Sequence, residues 1–115
     1  MDITIYHNPR CSNSRGALEA IRAAGFEPRI VDYLATPPSR EELVRMLAAA
    51  GLRARDAIRT RESVYAELAL DGEDVGEDAL IDAMLAHPVL LNRPFVVTPK
   101  GVRLCRPPET VHEIL

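Results

Sequence analysis

The stretch Ile3-Thr4-Ile5-Tyr6-His7-Asn8-Pro9-Arg10-Cys11-Ser12-Asn13-Ser14-Arg15 decides the fold. Residues 3–6 alternate at period two with β-branched and aromatic side chains, which marks a strand, and His7-Asn8-Pro9 supplies the turn residues that end it. From Ser12 the period lengthens: Ala17, Leu18, Ile21 and Ala24 fall on one helical face, and Gly25 provides a stop that tolerates left-handed backbone. Cys11 therefore stands where a strand hands over to a helix. Downstream, Pro28-Arg29-Ile30-Val31-Asp32-Tyr33-Leu34 reads as a second strand, completing a βαβ unit whose strands are parallel and whose crossover is right-handed.

Beyond it, Thr36-Pro37-Pro38 breaks the chain. Ser39 with Glu42 forms a capping box, followed by Leu43, Met46, Leu47 and Ala50 at helical spacing and by Gly51. Residues 52–87 read as helix throughout, first around Ala57-Ile58 and Val64 to Leu70, then from about Glu77 with Leu80, Ile81, Met84 and Leu85 inward; Asp71-Gly72 separates the pieces. Pro88 closes this segment. Phe95-Val96-Val97-Thr98, Pro99-Lys100-Gly101 and Val102-Arg103-Leu104 form a hairpin, and a last short helix runs from near Pro108 to Leu115. The order predicts one α/β domain over residues 1–115, a thioredoxin-like mixed sheet with a helical insert at about 39–87.

With 115 residues, 47% hydrophobic and 27% charged, the chain has the balance of a single globular domain able to bury a core without disulfide or metal staples. No apolar run approaches the ~18 residues of a membrane span, and the opening residues lack the layout of a signal peptide, so the expected location is the cytoplasm, with no membrane partner. A net charge of −3 and 4% aromatic residues without Trp argue against nucleic acid as a partner. Lys100 is the only lysine, so arginine carries nearly all the positive charge, and a functional arginine has to be argued by position.

Two cysteines are too few for a secreted disulfide framework, and they read differently. Cys105 ends the last strand and reads as a packed small hydrophobe. Cys11, beside a helix start, faces the positive end of the macrodipole and unpaired backbone N–H groups, with His7, Arg10 and Arg15 nearby; all of these favour thiolate over thiol. The same N–H groups suit a small tetrahedral oxyanion. Ser14 occupies the third position after Cys11, so the motif Cys-x-x-Ser lacks the resolving thiol of a dithiol oxidoreductase. His87 reads as a helix C-terminal residue and His112 as surface; with Cys105 they show none of the short paired spacings of a zinc site, so neither a metal nor another bound cofactor is expected.

Residues 6–15, together with Tyr33-Leu34-Ala35-Thr36-Pro37-Pro38, Leu90-Leu91-Asn92-Arg93-Pro94, Val96-Val97-Thr98-Pro99 and Leu104-Cys105-Arg106-Pro107, resemble the glutaredoxin-linked arsenate reductases, in order and along nearly the whole chain. The resemblance implies a thioredoxin-like fold and reduction of arsenate to arsenite through a covalent Cys11–arsenic intermediate. Glutathione would serve as co-substrate and glutaredoxin as protein partner. It places the nucleophile on Cys11, pocket residues on His7 and Ser14, and oxyanion-binding arginines on Arg59, Arg93 and Arg106. Arg61 competes with Arg59, which keeps the family's distance to Tyr65 and Leu68. The fold resembled also sets a cis proline, here Pro94, before its third strand. Two other functions share this fold: a monothiol redox enzyme acting on other thiol substrates, and an Spx-like regulator that binds RNA polymerase. The second usually senses redox state through Cys-x-x-Cys, which Ser14 interrupts here.

Overall fold

In the computed structural model, which describes residues 1–115, the Ile3–Tyr6 alternation becomes β1 (Thr4–His7), and Ile5, Tyr6 and His7 are all buried. Burial on both faces follows from its central place in the sheet. The helix α1 (Ser12–Ala23) starts where the period changes; Ala17 and Ile21 are buried, Leu18 packs against the core, and Ala24 is exposed as the C-cap. Gly25 follows at φ 91°, the left-handed conformation its lack of a Cβ permits. The strands β2 (Arg29–Asp32), β3 (Phe95–Thr98) and β4 (Gly101–Leu104) complete a four-stranded sheet in the order β2-β1-β3-β4. β1 runs parallel to β2, with Thr4 opposite Arg29, and antiparallel to β3, with Ile5 opposite Val96; β3 and β4 form the hairpin. This mixed sheet with its βαβ start is the expected thioredoxin-like fold.

The second strand is shorter than the expected 28–34. After Asp32 the chain turns, with the Asp32 carbonyl accepting from the Ala35 and Thr36 N–H groups and its carboxylate from those of Leu34 and Ala35. The closing short helix is of the 3-10 kind (Pro108–Ile114) and lies against α1 and β4. Ile3, Ile5, Ala17, Ile21, Val96, Cys105, Val111 and Ile114 form one buried cluster beneath it. The Thr98 hydroxyl locks the arrangement by donating to the Ile114 carbonyl at 2.7 Å.

The chain divides into two compact units: Met1–Thr36 with Arg93–Leu115, just described, and Pro37–Asn92. In the second, α2 (Arg40–Ala50) has both halves of the Ser39–Glu42 capping box and stops at Gly51, φ 70°. Residues 52–87 are not helical throughout. They hold three helices, α3 (Ala54–Ala57), α4 (Ser63–Glu67) and α5 (Glu77–Ala86), and between the first two Ile58 is extended and bridges to Leu91. Two main-chain bonds flank that bridge, Arg59 N–H to Leu90 O at 2.7 Å and Asn92 N–H to Ala57 O at 2.8 Å. Apolar residues at helical spacing conceal such a break, because a buried extended residue and a buried helical one look alike at one position. No helix is long and apolar enough to cross a membrane.

The Arg55 guanidinium holds this unit together, donating to the Tyr65 hydroxyl at 3.0 Å, the Leu70 carbonyl at 2.9 Å and the Val75 carbonyl at 3.2 Å. It ties α3 to the segment around α4 and to the loop before α5. Replacing it by methionine keeps much of the volume and strands three acceptors, so Arg55→Met should lower stability by about 2–3 kcal/mol in urea unfolding. A loss below about 0.5 kcal/mol would show that these acceptors find other partners.

Candidate active site

Between β1 and α1 the chain makes a tight turn in which the Cys11 N–H donates to the Asn8 carbonyl at 3.0 Å, with Pro9 and Arg10 at the corner. Cys11 is thereby the N-cap of α1, in extended conformation at φ −92° and ψ 123°, and its own carbonyl accepts the Arg15 N–H at 3.0 Å. A cap residue in this conformation points its side chain back over the first turn, where helix N–H groups lack intrahelical partners. Here that side chain is a thiol, which makes no side-chain cap bond of regular geometry.

Burial works against ionisation of the half-buried Cys11 thiol, but the Ser14 N–H, the Arg93 guanidinium, the Asn13 N–H and the Ser14 hydroxyl all hydrogen-bond the sulfur and outweigh it. The pKa falls to about 7. The sequence predicted the direction but credited His7, Arg10 and Arg15; the structure assigns the shift to direct hydrogen bonds. The Arg15 guanidinium instead donates to the Pro9 carbonyl at 2.9 Å, bracing the turn.

Arg106 reaches the sulfur from the far side of the chain. Its Nη1 lies 3.7 Å from Cys11 Sγ and donates to the Arg93 carbonyl at 3.0 Å. Cis peptide bonds precede both Pro94 and Pro107, so Arg93 and Arg106 each occupy the position before one; the sequence anticipated only the first. A thiolate, two helix N–H groups and two guanidinium groups thus surround one point. Such a set binds a tetrahedral oxyanion in contact with a nucleophile, with arginine supplying planar, permanently charged donors.

Of the other expected residues, Ser14 is fully buried and at the sulfur. His7 is also buried, but its electrostatic partners are Arg22, Asp32 and Arg15. Burial, with the Arg22 and Arg15 cations, holds its imidazole below the usual histidine range against the pull of Asp32. Arg59 belongs to the second unit, where its Nε pairs with Glu62 at 3.1 Å and its Nη1 donates to Asn92 Oδ1 at 3.2 Å; Arg61 is exposed. Cys105 is fully buried, and burial pushes its thiol up to about 12. Asn8 was read from sequence only as a turn residue, yet it is buried and three of its groups serve the loop. The available signal was Asn at the first position of a turn with Pro at the second.

These shifts predict that Cys11 alkylates with a midpoint near pH 7 while Cys105 stays silent until the protein unfolds. A Cys11 midpoint at or above the free-thiol value of ~8.5 would contradict the hydrogen-bond pattern. A thiol whose pKa is depressed on folding stabilises the fold fully above its unfolded pKa, and that contribution is lost as pH falls through the folded value. Stability measured by urea should therefore drop between about pH 9 and 7, and Cys11→Ser should abolish that part of the drop.

Known proteins resemble this chain along its whole length. The ArsC family model matches residues 6–114. An arsenate reductase of Rhizobium meliloti (strain 1021) is 56% identical over 115 residues, covering 100% of this chain and 82% of the relative. An arsenate reductase of Escherichia coli (strain K12) is 54% identical over 114 residues, 99% of this chain and 81% of the relative. Among solved structures, the arsenate reductase from Vibrio cholerae superposes with a TM-score of 0.95 at 45% identity, covering 100% of this chain and 98% of that one. With a match that spans all but the ends of the sequence and a shared fold, the chain belongs to the ArsC family.

Proposed function

We propose that this protein is an arsenate reductase in which Cys11 attacks arsenic while Arg93 and Arg106 bind the oxyanion. The observation that carries this reading is the convergence of two arginines on a thiol whose pKa is lowered to about 7. Arsenate at neutral pH is a singly or doubly charged tetrahedral anion, and a thiolate cannot approach it until that charge is balanced. Two guanidinium groups supply the balance and also stabilise the charge that builds up in the transition state. His7 and Ser14 line the pocket. A monothiol enzyme handling only neutral thiol substrates has no use for this concentration of positive charge.

In the first step a bond forms between Cys11 sulfur and arsenic, and an arsenate oxygen leaves as water, with arsenic still pentavalent. Glutathione then adds its thiol to arsenic with loss of a second water. The glutaredoxin thiolate attacks the glutathione sulfur, giving a mixed disulfide and leaving the electron pair on arsenic, which becomes trivalent. Hydrolysis of the remaining sulfur–arsenic bond frees arsenite and Cys11. Ser14 at the third position after Cys11 supports this external supply of thiols, and so does the burial of Cys105. The chain works as one domain carrying its insert, in the reducing cytoplasm, where Cys11 stays free.

A coupled assay with arsenate, glutathione, glutaredoxin and NADPH tests the reading. Cys11→Ser should abolish turnover, Cys105→Ser should leave most of it, and omission of glutathione should stop the wild type. Arg93→Lys and Arg106→Lys should each lower activity by one or more powers of ten, because a compact ammonium does not reproduce the planar fork; about 2–4 kcal/mol of transition-state stabilisation is at stake. Unchanged kinetics in both lysine variants would return the arginines to solvated surface charges. A Cys11–Cys105 disulfide as the main oxidised species would overturn the glutathione-dependent route.

A further inference from the structure

We infer that Asn8 is a positioning residue for the Cys11 thiolate, acting through the shape of the turn rather than by touching sulfur. It is 6% exposed, and three of its groups are committed to the loop. Its side-chain Oδ1 accepts the Arg10 N–H at 3.0 Å, its carbonyl accepts the Cys11 N–H at 3.0 Å, and its N–H donates to the Ser14 hydroxyl oxygen at 3.3 Å. Each bond has a separate consequence at the thiol. The first is an Asx turn, which fixes the corner at Pro9-Arg10. The second engages the Cys11 N–H outside the helix, so that Cys11 stays in cap conformation with its sulfur over the Asn13 and Ser14 N–H groups. The third occupies a lone pair of the fully buried Ser14 oxygen, which leaves the hydroxyl proton to be given to sulfur.

The two main-chain bonds survive substitution of Asn8; the side-chain bond does not. Removing it frees the corner and with it the aim of the sulfur at its donors. This inference deepens the nucleophile reading of Cys11, and its test needs no arsenate, so the two fail separately. The experiment is the pH dependence of Cys11 alkylation by iodoacetamide, read by mass spectrometry of the Cys11 peptide, on wild type, Asn8→Ala and Asn8→Ser, with thermal unfolding of each. Asn8→Ala should raise the midpoint by about half a unit to one unit, the shift expected when one hydrogen bond's worth of support is lost. The limiting rate at high pH should stay within about twofold of wild type, since one hydrogen bond governs how much thiolate forms rather than access to it. Asn8→Ser keeps a short oxygen acceptor for the Arg10 N–H and should recover most of the wild-type midpoint. A wild-type midpoint in Asn8→Ala, with only the melting temperature lowered, would make Asn8 structural and overturn the proposal. So would an Asn8→Ser midpoint raised by a full unit, which also serves as the deciding result if the alanine variant does not fold.

Discussion

The hydrogen bonds from the first turn of α1 to the Cys11 sulfur set the conditions for everything else at this site. A half-buried thiol is driven toward its neutral form by desolvation, and a neutral thiol is a poor nucleophile. Two N–H groups, a serine hydroxyl and an arginine reverse that preference only because they are already aimed at one atom before any substrate arrives. Their aim depends on β1 ending at His7, on the turn through Asn8, and on α1 being seated firmly on the sheet by Ala17 and Ile21. Moving the start of the helix by one residue would put the sulfur beside a different set of donors.

The two arginines at the thiol are held in different ways. Arg93 acts directly on the ionisation of Cys11, whereas Arg106 is tied to the Arg93 carbonyl and reaches the sulfur from solvent. One arginine is more enclosed and fixed; the other is exposed and anchored at a single carbonyl. Both guanidinium groups are thus already at the sulfur, one enclosed and the other exposed. His7 differs in kind: buried and held toward neutrality, it contributes volume and an uncharged ring next to the site rather than another cation.

Most of the first unit was legible in the sequence because its signals are local. Period-two alternation ends at a Pro-containing turn, period 3.6 begins at Ser12, and glycine stops follow both α1 and α2. The second unit was less legible. The extended residue at Ile58 is held by Leu91, more than thirty positions away, and a window of neighbours carries no trace of a partner that distant. The site divides in the same way. Cys11, Ser14, Arg93 and Arg106, which the structure brings together, could be read from motifs, but the causes of the lowered pKa could not. Proximity in sequence favoured Arg10 and Arg15, whereas the turn points Arg15 at Pro9 and the sheet brings Arg93 and Arg106 in from the far end of the chain.

The brevity of β2 bears on how this sheet ends. A strand at the edge of a sheet offers unpaired main-chain groups to any passing chain, and such edges seed association unless they are blunted. Arg29 donates its N–H inward to the Ile3 carbonyl at 2.8 Å, so by alternation Ile30 and Asp32 are the residues whose groups face outward. Pro28, just before the strand, has no N–H to offer, and the Asp32 carbonyl is taken up by Ala35 and Thr36. What remains for a stranger to pair with is the Pro28 carbonyl, the main chain of Ile30 and a single N–H at Asp32, beside a charged carboxylate. A ladder needs a longer template than that, and so an exposed strand bearing the uncovered Ile30 side chain is guarded against extension by the turn that cuts it short.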